Sequence, residues 1–251
     1  MPSWYTHVVT ANEILKSINV KKDEFLIANL MPDAKPYVVD NFSFNIPYTI
    51  SHYNEYTCVD GVYELLPNAD KFIEKHKNEF DNPVVLGYLT HLLTDKFWNN
   101  IFFENFNVRN QDDEYIGIRL NNGKIKICDR ETRNNIKRND FKMFQNYLKK
   151  TRNYYIPKYT PLMLEYARNI IEVPYQKEDL EKIIYYLKLN NSCFEDVNEY
   201  KVFSEEEMKK YYDESITYIL DTFERIGVEV KKDIKDAEGD YTDFKEVYSF
   251  A

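Results

Sequence analysis

Asn82-Pro83-Val84-Val85-Leu86-Gly87-Tyr88-Leu89-Thr90-His91-Leu92-Leu93-Thr94-Asp95 is the stretch on which the fold turns. Asn82 suits a helix cap and Pro83 a first helical turn, so a helix is expected from about 82 to 103. It is apolar on nearly all sides, the mark of a helix central to the fold. Leu86, Leu89, Leu93 and Phe97 make one stripe, and Gly87, His91 and Asp95 make another. Residues four apart share a helical face. A histidine and an aspartate on one face of a buried helix cost desolvation energy unless something pairs with them, and a divalent cation is one such partner. Gly87, one turn before His91, has two readings: it leaves room for an ion or substrate, or it lets another helix approach closely.

Outward from this helix the patterns remain mostly helical. Thr10 as a cap, followed by Ile14, Leu15 and Ile18, indicates a short amphipathic helix over about 10–19. The apolar stretch Phe25 to Leu30 stops at Met31-Pro32-Asp33, because proline disfavours helix in the residue before it. Residues 40–54 are aromatic and irregular and read as loop, and a charged helix is expected over about 68–80, with Phe72, Ile73 and Phe80 inward. Tyr115 to Leu120 and Lys124 to Cys128 alternate with period two around Asn121-Asn122-Gly123, a hairpin turn signal. Helices resume at about 131–150, 160–172, 177–190 and 204–225, the last opening on the capping-box pattern Ser204 to Glu207. The tail after Gly227 is charged and reads as loosely packed. The expected fold class is all-α: one domain over residues 1–251, a multi-helix bundle with a small β-hairpin inserted near 115–128.

The 251 residues are 43% hydrophobic and 16% aromatic, ample for a sizeable core, and the formal net charge is -9. An acidic surface argues against a general nucleic-acid partner or an anionic-membrane binder. No apolar run approaches the roughly 20 residues of a membrane span, and the first residues show no signal-peptide pattern. Cys58, Cys128 and Cys193 are far apart and odd in number, which fits a reduced, cytoplasmic protein.

All four histidines lie within the first 91 residues. His7, Asp33, His52, His91 and Asp95 each sit beside apolar or turn residues rather than in a charge run. Three imidazoles and two carboxylates make the ligand set of a zinc, iron or manganese centre with open positions. Five ligands exceed what one catalytic ion usually takes from protein and suit two ions about 3.5–4 Å apart sharing a carboxylate. Taken singly, a histidine in an apolar region is more often a hydrogen-bonded core residue than a ligand, and the His91/Asp95 pair carries more weight because the two could otherwise pair only with each other. His76, in Glu74-Lys75-His76-Lys77, reads as surface.

Pro2-Ser3-Trp4-Tyr5-Thr6-His7, Asn29-Leu30-Met31-Pro32-Asp33-Ala34, Ser51-His52-Tyr53 and Gly87 to Trp98 resemble, in order, successive motifs of the zinc-dependent phospholipase C family, most of all its short bacterial members. The resemblance covers roughly the first 100 residues, and Asn134 to Phe141 resembles a weaker shared motif. It implies an all-helical fold with a metal cluster in a cleft, and a hydrolase of phosphoric esters or diesters acting on a small-molecule or lipid phosphoester. His52, His91 and Asp95 would hold one ion. His7 would hold a second, Asp95 would bridge, and Asp33 would serve as general base or ligand. The family's secreted enzymes use further histidines downstream for a third ion, and the amino group of an N-terminal tryptophan. Here no histidine follows His91 and Trp4 is internal, so two ions are expected, zinc first, with water, Asp140 or substrate completing the coordination. Two other readings stand beside this one: a non-catalytic helical protein with a structural metal site, and a metal-dependent hydrolase of nucleotides or another substrate.

Overall fold

The computed structural model describes residues 2–34, 38–39, 42–43, 48–59, 62–112, 114–170, 175–189 and 197–231. Its centre is the expected helix, which runs Pro83–Phe106 and is the fifth α-helix in chain order, α5. Asn82 caps it, its side-chain oxygen accepting from the Val84 N–H at 2.9 Å. Every residue from Val84 to Asp95 is buried, as a helix apolar on all sides requires.

Around α5 pack α1 (Trp4–Ile14), α2 (Lys22–Leu30), α4 (Ala69–Lys75), α7 (Pro161–Ile170) and α9 (Glu205–Arg225). α2 lies along α5 most extensively. Gly87 explains how: a β-carbon there would stand 2.1 Å from the backbone oxygen of Phe25. Of the two readings of Gly87, the structure therefore carries close helix approach and not space for an ion. α6 (Arg130–Thr151) is capped by Asp129 and supplies Phe141 and Phe144, which gather with Phe203 around the fully buried Trp98 of α5. α8 (Lys177–Leu189) packs on α2 and α7.

The helical character expected from the sequence holds, with nine α-helices among the described residues. Two boundaries and the sheet content differ. The first helix spans 4–14 rather than about 10–19. Ser3, not Thr10, caps it, the Ser3 hydroxyl accepting from the Thr6 N–H at 3.3 Å, while Thr10 is buried within the helix. The helix over 68–80 is confined to Ala69–Lys75, with Asn68 as its cap. The hairpin near 115–128 is present as β6 (Tyr115–Arg119) and β7 (Ile125–Ile127), with Gly123 at φ 77° in its turn. A third strand, β5 (Asn107–Arg109), continues directly from α5 and pairs antiparallel with β6.

Two further antiparallel pairs were not expected. β1 (Val38–Val39) pairs with β2 (Phe42–Ser43), and β3 (Glu55–Val59) with β4 (Val62–Leu66). The second agrees with its composition, since β-branched and aromatic residues fill both strands. Within the expected loop 40–54 lies one helical turn, α3 (Tyr48–Ser51), while 40–41 and 44–47 fall outside the described residues. The tail is described only to Lys231, whose N–H donates to the Ser17 carbonyl at 2.8 Å, so the reading of the remainder falls outside. No helix among the described residues is long and apolar enough to cross a membrane.

Substituting Gly87→Ala should destabilise the protein by about 3 kcal/mol, because the atom it meets is backbone and cannot rotate aside. Urea denaturation checks this, and an unchanged midpoint would show that α2 and α5 separate without cost.

Candidate metal centre

Four backbone elements converge on one buried point. α1 contributes His7. The 3-10 turn Met31–Asp33, where Pro32 ends α2, contributes Asp33. His52 follows α3, immediately before Tyr53, whose φ of 52° turns the chain toward β3. α5 contributes His91 and Asp95 from one face. His7, His52, His91 and Asp95 are each 0% exposed, and only the Asp33 side chain, at 11%, reaches solvent.

The donor atoms face one another at regular spacing. His52 Nε2 lies 3.2 Å from His91 Nε2, 3.3 Å from Asp33 Oδ1 and 3.6 Å from Asp95 Oδ2. His91 Nε2 lies 3.7 Å from the same Asp95 oxygen. The other Asp95 oxygen, Oδ1, lies 3.4 Å from His7 Nε2. Four donor atoms tetrahedral about a zinc ion at 2.0–2.1 Å would be about 3.3–3.4 Å apart. The observed separations scatter around that edge length. Two triads share His91: His7, His91 and Asp95, and Asp33, His52 and His91. Asp95 divides its oxygens between the His7 side and the His52/His91 side, the disposition of a bridging carboxylate.

Hydrogen bonding alone does not satisfy this arrangement. Both ring nitrogens of His7 and both carboxylate oxygens of Asp95 are buried without a hydrogen-bond partner. A neutral imidazole always carries one donor and one acceptor, and a carboxylate only acceptors. Leaving four such atoms in the interior with nothing better than the long 3.4 Å contact between His7 and Asp95 costs up to about 1–3 kcal/mol each, more where charge is involved. A cation among them removes that cost, and imidazole with carboxylate is the donor chemistry that holds zinc, iron or manganese. The residues therefore fit a metal.

Outer contacts orient the ligands. His91 Nδ1 lies 2.8 Å from the Asn29 carbonyl, which only accepts, so the proton sits on Nδ1 and the Nε2 lone pair faces the cluster. With its amide oriented so that each atom meets a complement, Asn29 also donates to the His7 backbone oxygen at 3.0 Å and accepts from the His91 backbone N–H at 3.2 Å. One residue of α2 thus holds α1 and α5 in register at the site. Ser51 Oγ meets His52 Nδ1 at 2.9 Å.

Electrostatics follow from this packing. Burial, reinforced by the adjacent His7 ring, lowers the His91 pKa to about 3, so the ring is neutral. Burial pushes Asp95 upward, but His7, His91 and His52 outweigh it and hold the carboxyl below the usual carboxylate range. Asp33 is likewise lowered: burial and Asp95 oppose ionisation, and the hydrogen bond to His52 with the nearby His91 and His52 rings prevails. Two ionised carboxylates beside a neutral imidazole make a site poised for a cation.

All five expected site residues meet here, whereas Asp140 does not. It is fully buried elsewhere, accepting from the backbone N–H groups of Lys201, Val202 and Phe203 at 2.7, 2.7 and 2.9 Å. Its carboxylate is consumed in pinning the segment that leads into α9. His76 also departs from expectation: it is 3% exposed rather than on the surface, packed on Phe72 with Nδ1 2.8 Å from Glu79. The run Glu74 to Lys77 hid it because α4 ends at Lys75 and the chain turns His76 inward. Asn29, Ser51 and Tyr88 lie inside the quoted motif segments, yet nothing in their residue types marked them as supports.

Comparison with protein-family models, with curated proteins and with solved structures gives no match.

The metal-free protein should lose stability as pH falls. His91 has its folded pKa lowered from 6.5 to about 3, so between those values the unfolded chain binds the proton and the folded chain does not. Stability is full above 6.5 and declines by up to about 1.4 kcal/mol per pH unit from this group as acid is added. Denaturation midpoints of chelator-treated protein between pH 7 and 4 check this, and a flat profile would contradict the neutral buried ring.

Proposed function

We propose that this chain is a metal-dependent hydrolase of phosphoric esters, phosphodiesters first, working through a two-ion centre held by His7, Asp33, His52, His91 and Asp95. The observation that carries the proposal is the spacing of the donor atoms, 3.2–3.7 Å, around a bridging carboxylate whose oxygens have no hydrogen-bond partner. The order of the four motif segments, with their resemblance to zinc-dependent phospholipases C, supports the choice of phosphoric esters. Zinc is the first candidate, with iron or manganese as alternatives; such ions neutralise phosphoryl charge and acidify water.

The chain's own residues divide the remaining work. Asp95 would hold both ions, its Oδ1 on the His7 side and its Oδ2 on the His52 and His91 side. His52 and His91 present their Nε2 atoms on one side, and His7 on the other. Asp33 is ionised and reaches solvent, so it is the group placed to accept a proton from water as the phosphorus is attacked. Burial of the other four excludes bulk water from the charge they carry, which strengthens their field.

Asp95→Asn should lose bound metal and activity together, as measured by elemental analysis per chain and by turnover of a chromogenic bis-phosphodiester. Asparagine keeps the shape but offers one neutral oxygen, so full metal retention would sink the bridging assignment. Natively purified wild type carrying no metal would sink the proposal itself.

Complete burial of four of the five ligands favours a second reading, a structural metal staple without catalysis. The two separate cleanly. Chelation lowers the melting temperature under both, but a catalytic centre turns over at least one of a phosphodiester, a phosphomonoester and a choline phospholipid, whereas a staple turns over none.

A further inference from the structure

The two site loops that are not helical are each tied down by a buried tyrosine hydroxyl. Tyr88, on α5 one turn before His91, donates to the carbonyl of Ser51, the residue preceding His52. Tyr175, just ahead of α8, donates to the carbonyl of Met31, two residues before Asp33. Both side chains are 0% exposed. Burial raises both phenols well above the ordinary tyrosine range, and each phenol is near enough to the other to influence its acidity. Both therefore stay protonated, as donors to carbonyls must.

These contacts fall on the part of the site that helix geometry leaves least determined. His91 and Asp95 are held by their shared helix, and His7 by α1. Asp33 and His52 stand on a 3-10 turn and on a backbone reversal at Tyr53, where a few degrees of rotation would move a donor atom by a large fraction of an ångström. A carbonyl clamped beside each of these residues removes that freedom. Tyr88 also stacks on Phe72, with ring centroids 5.3 Å apart, so its hydroxyl is itself held in place.

We propose that Tyr88 and Tyr175 are paired positioning residues that latch the His52 and Asp33 loops into metal-binding geometry, so that the segment before α8 completes a centre whose ligands all come from the first 95 residues. The inference rests on the metal-centre reading above. It gives the later half of the chain a share in the site that its own sequence pattern does not announce. Each hydroxyl donates to a backbone carbonyl next to or near a ligand, Ser51 for Tyr88 and Met31 for Tyr175. Their effect passes through the backbone of Ser51 and Met31, and metal affinity is where it should register.

The test uses full-length wild type, Tyr88→Phe and Tyr175→Phe, each stripped of metal and titrated with zinc against a chromophoric chelator. Cobalt substitution reports the ligand field in parallel. Phenylalanine keeps the ring and its packing and removes only the hydroxyl. Loss of supporting contacts around ligands typically weakens metal binding about 10–100-fold, so each variant should bind its tighter ion at least about tenfold more weakly. The cobalt spectrum should shift, while the metal-free melting temperature stays near that of wild type. A role in folding alone would lower the metal-free melting temperature and leave affinity and spectrum unchanged, which would overturn the latch. Wild type that binds no zinc overturns the underlying metal reading, a separate failure. Should Tyr175→Phe fail to fold, Tyr88→Phe decides the matter through the Ser51–His52 side.

Discussion

The Asp95 carboxylate, ionised and sealed in the middle of α5, is the constraint on which the rest of the structure depends. A charge placed there is tolerable only if other groups compensate it from every side. One oxygen faces His7 and the other faces His52 and His91, so α1 and the segment after α3 must both close over α5. The helix that carries Asp95 must also be central, because only a central helix can be approached from so many directions.

Close packing and site assembly are therefore one problem. Gly87 lets α2 press against α5, and the same contact brings Asn29 to His91 and Asp33 to the mouth of the cluster. Asn29 joins α1 to α5 through backbone groups of His7 and His91. A cation held by these donor atoms would act as a further kind of core contact, beside apolar packing, helix hydrogen bonds and the tyrosine–carbonyl hydrogen bonds. In this arrangement the interior is polar at one point only because many elements share the cost of making it so.

Much of this is legible in the amino-acid sequence. The all-round apolar pattern of 82–103 located the central helix, and the i, i+4 spacing of His91 and Asp95 put both on one face. Asn121-Asn122-Gly123 located a turn, and Ser204 with Glu207 a capping box that is present as expected. Other features escaped for identifiable reasons. The start of α1 differs from expectation because Ser3, itself a cap-forming residue, caps the helix and Thr10 lies buried inside it. The β3–β4 pair is absent from the expectation because its two short runs lie in a region with no helical or strand periodicity long enough to stand out. Asp140 looked available as a ligand because a sequence does not reveal three backbone N–H groups arriving from residues sixty positions away. His76 looked solvated because its neighbours are charged, but a helix ending one residue earlier reversed its direction.

The sequence by itself determined the helical class, the central helix and the residue types able to hold a cation, since these depend on local periodicity and on chemistry carried by single side chains. Tertiary structure alone decided that five residues spread over ninety positions meet at coordination distance, that Asp140 is spent on a loop, and that Tyr175 reaches back to the Asp33 turn. Such facts depend on which surfaces of distant elements are buried against each other, and chain-local patterns do not encode that pairing.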